Sequence, residues 1–217
     1  MKIISLSASL SDAHRPASEP TITPAPTPAI VAERRDASRT RTVYRVARVR
    51  SETDQGLARV RNISDGGMRL AVGLSMNVGD IIEISMSEKL LFEGRVVWTA
   101  DGECGVEFSD PVDSAEALRC TAEEIRSGKG RPLRLPIGNP VVVESERGMH
   151  VTRLHDISMR GMKIGHDGSF EPGLAVKVTL APDIERRGIV RWVRGDFAGV
   201  VLIETFTLKE LGSASAL

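Results

Sequence analysis

Short apolar runs rich in β-branched residues, broken by turn-forming residues every few positions, dominate the chain from Thr42 onward. TVYRVARVR, LARVRNI, GMRLAV, DIIEISM, LLFEGRVVW and CGVEF succeed one another with SDGG, NVGD and DGE among them, which is how strands joined by tight turns read. A second series follows as PVVVES, MHVTRLHDI, GMKI, LAVKVTL, RRGIVRWV and FAGVVLI. Six strands at this spacing suit a small antiparallel barrel or sandwich, since closing the sheet removes exposed edges. Only one stretch between the two series carries a helical period. Asp113 and Glu116 have capping-box spacing, Leu118, Ala122 and Ile125 share a face, and Gly128 supplies a stop. The pattern predicts an all-β protein of two tandem six-stranded antiparallel barrels, the first closed by a short C-terminal helix.

The two series are copies of each other. Asn62-Ile-Ser-Asp-Gly-Gly-Met-Arg-Leu70 recurs as Asp156-Ile-Ser-Met-Arg-Gly-Met-Lys-Ile164, from position 62 to position 156, an offset of 94. The same offset relates Gly79 to Gly173, Gly94 to Gly188, Trp98 to Trp192 and Gly105 to Gly199, with no insertion between them. This divides the chain into a leader over 1–32, a first domain over 33–127 and a second over 128–210. The leader, with SEPTITPAPTPAI at its centre, offers too little apolar surface to offset the entropy of ordering and is expected to be disordered.

Lys and Arg total 29 against 29 Asp and Glu, so bulk charge does not suit the chain to coating nucleic acid, and aromatic residues at 4% leave few stacking platforms for single strands. No partner nucleic acid is expected. The neutrality is uneven, however. Arg34, Arg35, Arg39, Arg41, Arg45, Arg48, Arg50, Arg59 and Arg61 face only Asp36, Glu52 and Asp54 within the same stretch, a local balance of +6. Cys104 and Cys120 have neither metal-ligand nor disulfide-framework spacing and read as small buried residues. His14, His150, His155 and His166 are not paired at ligand spacing on one face. No P-loop, nucleophile elbow or HExxH occurs, so neither an enzyme, a metal nor a cofactor is expected. The opening MKIISLSASLSDAHRP falls short of a secretory segment or a membrane span, and a cytoplasmic location is the expectation.

Two short motifs belong together. Arg35-Asp-Ala-Ser-Arg39 is an RxxxR just before the first strand, and Asn62-Ile-Ser64-Asp-Gly-Gly67 is an NxSxxG after the second. With the ERRDASR opening, the NISDGGMRL turn and the GRVVW and CGVEF strands, residues 33 to about 126 resemble the PilZ domain, the bacterial receptor module for cyclic di-GMP. The resemblance implies a ligand-binding set of Arg35, Arg39, Asn62, Ser64 and Gly67, with Arg34 as an auxiliary. The residue types suit that ligand. Cyclic di-GMP presents guanine edges and phosphates, and the planar guanidinium pairs with either and stacks on a base, which Lys cannot do. Asn62 would offer an amide to a guanine and Ser64 a hydroxyl, while Gly67 would give the turn an unusual φ and let backbone approach the ligand.

The second copy keeps the DxSxxG turn at Asp156, Ser158 and Gly161 but lacks the Arg pair. Arg131 and Arg134 are wrongly spaced, and Pro132 restricts the segment. It reads as a degenerate barrel that packs, dimerises or meets a partner. The whole chain is then expected to bind cyclic di-GMP through its first domain and relay occupancy to an unidentified protein partner in motility, attachment or exopolysaccharide control. The alternative is a ligand-free scaffold of the same fold.

Overall fold

The computed structural model describes residues 41–128 and 130–217; the expected leader, Arg34, Arg35 and Arg39 lie outside the described residues. β1 (Arg41–Arg50), β2 (Gln55–Ser64), β3 (Gly67–Ala71), β4 (Ile81–Ser85), β5 (Leu91–Ala100) and β6 (Glu103–Phe108) form a closed barrel in the order β1-β2-β3-β6-β5-β4, all antiparallel. Alternation puts Val49, Val60, Ile63, Leu70, Ile84 and Val96 inside, each fully buried.

The second copy repeats this with one break. Its counterpart of β1 is split into β7 (Leu135–Pro136) and β8 (Pro140–Ser145), both of which pair with β9 (Gly148–Ser158). Pro136 and Pro140, which cannot donate to a ladder, flank the interruption at Ile137–Asn139. β10 (Gly161–Gly165), β11 (Ala175–Ala181), β12 (Ile184–Arg194) and β13 (Phe197–Leu202) then close the ring, β11 pairing back onto β8. The matched glycines do the same work in both copies. Gly79 and Gly173 hold φ of +101° and +97° in their turns. A Cβ on Gly105 or Gly199 would strike the indole of Trp98 or Trp192, at 2.0 and 2.1 Å.

The helix α1 (Ser114–Arg126) starts as expected, with the Asp113 carboxylate accepting from the Glu116 N–H at 2.9 Å. Its buried face differs from the expectation. Ser114, Ala117 and Thr121 are buried, whereas Ile125 is 59% exposed. Small residues let the helix lie close to the barrel, and Thr121 Oγ satisfies itself on the Ala117 and Leu118 carbonyls at 3.1 and 3.0 Å.

The segment equivalent to α1 in the second copy behaves otherwise. Thr207 and Glu210 form a reciprocal capping box, the Thr207 N–H donating to the carboxylate at 2.8 Å and the Glu210 N–H to the Thr207 hydroxyl at 3.3 Å. The turn ends at Gly212, and residues up to Leu217 run onto the first barrel instead. There the Leu57 N–H donates to the Leu211 carbonyl at 2.7 Å, and Asp54 accepts from the Ser213 hydroxyl at 2.5 Å and the Ser215 N–H at 3.1 Å. Leu57 is buried in the second barrel's core cluster together with Leu211 and Leu217. The barrels therefore share a hydrophobic core across their junction.

Cys104 is fully buried, and burial pushes its thiol up to about 11, whereas Cys120 sits half-buried on α1. Since the thiolate is the reactive form and access is required, maleimide at pH 7 is expected to label one thiol per native chain and two in urea. Labelling of two thiols in the native protein would contradict this placement.

Candidate functional site

The NxSxxG turn joins β2 to β3, with Ser64 opposite Gly67 at the end of the ladder. Ser64 Oγ donates to the Gly67 carbonyl at 3.3 Å, and Ser158 repeats the bond to Gly161 at 3.1 Å in the second copy. The serine thus fixes its own turn while its oxygen lone pairs stay available. Gly67 is explained by space and not by φ, correcting the expectation from sequence. It lies outside the left-handed region, and a Cβ there would sit 2.3 Å from the Val106 carbonyl oxygen of β6. Asp65, between them, is tied to the start of α1. Its carboxylate accepts from the Ser114 hydroxyl at 2.6 Å and the Ser114 N–H at 3.1 Å, while its carbonyl accepts from the Val112 N–H at 2.9 Å.

Asn62 is brought to the centre of an outward row by two bulges. Arg61 is the extra residue on β2 against β3, and Val97 is the extra residue on β5 against β6. The resulting register sets Thr42, Asn62, Arg69, Gly105 and Trp98 side by side across β1, β2, β3, β6 and β5. Because Gly105 has no side chain, the Trp98 indole lies over it, and the Arg69 guanidinium stands 5.6 Å from the indole centroid. Glu103 holds Arg61 Nε at 3.0 Å and Arg69 Nε at 2.7 Å. The Arg69 bond is the main cause that keeps the Glu103 carboxyl below its usual range, so it remains ionised and keeps both guanidiniums placed until pH falls through that lowered value. The amide of Asn62 is engaged by no other described side chain. The row offers an amide, a hydroxyl, a guanidinium and an aromatic face, the chemistry that suits a nucleobase and its phosphate. Arg69 and Trp98 are the members that motif reading missed; the only sequence signal for them was the repeat, which placed Trp at 98 and 192.

The same row in the second copy is built differently. Pro136, Asp156, Lys163, Gly199 and Trp192 occupy it. Asp156 stands where Asn62 does and is closed off by an ion pair with Arg134 and by Lys163 Nζ at 3.6 Å. Lys163 lies 4.6 Å over the Phe197 ring, and His155 packs edge-on against that ring at 4.7 Å. Where the first copy has an amide engaged by no other described side chain, the second has a self-neutralised cluster. Among the described residues, no group of His, Cys, Asp and Glu could hold a metal ion, and no helix is long and apolar enough to cross a membrane.

The PilZ domain family model matches residues 33–123 and again 128–209. The chain belongs to the PilZ family and carries the domain twice. No curated protein matches it. Among solved structures it is similar to the Borreliella burgdorferi PlzA protein in complex with c-di-GMP, at 12% identity over 77% of this chain and 84% of that one, with a TM-score of 0.36. It is also similar to the Bacillus subtilis inhibitor of motility MotI, at 15% identity over 77% and 91%, with a TM-score of 0.32. A third is YcgR in complex with c-di-GMP from Escherichia coli, at 12% identity over 75% of each chain, with a TM-score of 0.27.

Proposed function

We propose that the first barrel is a cyclic di-GMP receptor and that the chain, with no catalytic role, passes occupancy to a protein partner in the cytoplasm, in control of motility, attachment or exopolysaccharide. Membership of the PilZ family supports this reading, as does the RxxxR of Arg35 and Arg39 immediately upstream of β1. The observation that carries it is the row Thr42, Asn62, Arg69 and Trp98, whose first strand is the one the RxxxR segment leads into. Asn62 would pair with a guanine edge, Ser64 would accept through its free lone pairs, and Trp98 with Arg69 would stack on a base.

Calorimetric titration of the full chain tests it. One cyclic di-GMP molecule, or one stacked pair, should bind at a single site, and Asn62→Ala should weaken binding about tenfold by removing a bond to a polar ligand edge. Asp156→Ala should leave affinity and stoichiometry unchanged, because Asp156 already answers Arg134 and Lys163. Absence of saturable heat, or equal losses from Asn62→Ala and Asp156→Ala, would refute the one-site reading.

A further inference from the structure

A cavity of about 530 Å³ opens at the junction of the two barrels, between β1, the C-terminal half of α1, the connector at 130–133 and the second copy's turn at Met159 and Arg160. Its volume is that of a small-molecule site. Leu57 and Met86 form buried parts of its wall, and Val46, Leu133 and Met159 are partly buried. Two large apolar side chains on the same wall remain in water, Tyr44 at 77% exposure and Ile125 at 59%. Ile125 shares a helical face with Leu118, but Leu118 packs against the first barrel's core whereas Ile125, in the last turn of α1, lines this space.

The charge around the cavity is one-sided. Among the described residues, Arg45, Arg131 and Arg160 line it against Glu124 as the only carboxylate. Arg131 stands 3.6 Å from Glu88, but Arg45 and Arg160 have no ion-pair partner among the described residues. An apolar wall beneath uncommitted guanidiniums complements a molecule with an apolar body and one anionic group. We infer that the junction cavity binds a small amphipathic anion, a carboxylate or phosphate on an apolar body, at a site separate from the Asn62 row. The cavity contacts both barrels at once through α1 on one side and the Met159 turn on the other. Its occupant therefore bears directly on how firmly the two are held together.

The test uses the full chain and 8-anilinonaphthalene-1-sulfonate as the fluorescent probe, displaced by decanoate, decyl phosphate or decanol. The probe should bind saturably at one site and be displaced by the two anions at concentrations about tenfold or more below those needed of decanol, the difference expected for a charge-assisted bond. Ile125→Asp, at a solvent-exposed helix position, should weaken probe and anions by about tenfold or more, and the Arg45→Ala, Arg160→Ala double variant should reduce the anions to the level of decanol. No saturable probe binding, equal displacement by decanol, or wild-type affinity in Ile125→Asp would overturn the inference. Cyclic di-GMP titrated into the same variants separates the two sites. Unchanged cyclic di-GMP affinity in Ile125→Asp supports separate sites. Competitive displacement of the probe by cyclic di-GMP, lost in that variant, would make the cavity part of the dinucleotide site and overturn the second-site inference. Anion binding in a chain that takes up no cyclic di-GMP would instead defeat the receptor reading and leave this one standing.

Discussion

Replacing Arg35 and Arg39 together by Ala is expected to lower cyclic di-GMP affinity by about two to four orders of magnitude, since hydrogen bonds to charged groups contribute about 1.5 to 3 kcal/mol each. The reach is set by the register. β1 begins at Arg41, opposite Ile63, and Thr42 stands opposite Asn62, so the chain enters the barrel beside the NxSxxG turn. An extended chain covers at most about 3.3 to 3.6 Å per residue. The two residues from Arg39 to Arg41 thus allow a backbone separation of at most about 7 Å, and the six from Arg35 at most about 20 Å. Arg35→Lys should also be costly, because a point charge cannot reproduce the fork that meets a guanine edge or a phosphate in two bonds. Arg131→Ala serves as the control: it lies in the connector, is largely exposed and should not alter cyclic di-GMP affinity. Calorimetry giving the same affinity for wild type and the double variant would remove the RxxxR segment from the site.

The repeat made the architecture readable from sequence, because a barrel's inward and outward alternation and its turn glycines recur at a fixed offset whatever else has drifted. Gly79 with Gly173 and Trp98 with Trp192 hold identical places in the two barrels. The site was only half readable. Asn62 and Ser64 are neighbours in a motif, but Arg69 and Trp98 reach them through two bulges and three strand pairings, which no local spacing encodes. The unusual φ expected of Gly67 is absent for a related reason. Its constraint comes from the carbonyl of Val106, a strand 39 residues further along the chain, and not from its own turn. Of the face that Leu118, Ala122 and Ile125 share by helical period, Leu118 packs on the first barrel's core and Ile125 stays exposed. Ser114 meets Asp65 at the start of the helix, a contact over 49 residues that no helical period encodes.

The junction between barrels was hidden for the same reason, and it carries the largest expected effect on stability. Gly56 at the start of β2 lies against Gly212 in the C-terminal tail so closely that a Cβ on Gly56 would fall 1.9 Å from the Gly212 carbonyl oxygen. Gly73 approaches the same residue, with its own Cβ position 2.9 Å from the Gly212 Cα. Both contacts are backbone against backbone, so no side-chain rotation relieves them. Gly56→Ala should therefore push the tail away from β2, break the Leu57 to Leu211 bond, and loosen the shared packing of Leu57, Leu211 and Leu217. Overpacking of this kind costs about 3 kcal/mol. Gly66→Ala, where a Cβ meets nothing within 4 Å and φ is ordinary, should stay within about 0.5 kcal/mol of wild type. Urea unfolding distinguishes the cases further. With a core shared across the junction, wild type should unfold in one transition, and Gly56→Ala should shift the midpoint down and split or broaden it as the barrels uncouple. The Asn62 row sits at the opposite end of β2 from Gly56, so cyclic di-GMP affinity should survive the substitution. A Gly56→Ala protein with the midpoint and slope of wild type would show that the tail does not bind the two barrels into one cooperative unit.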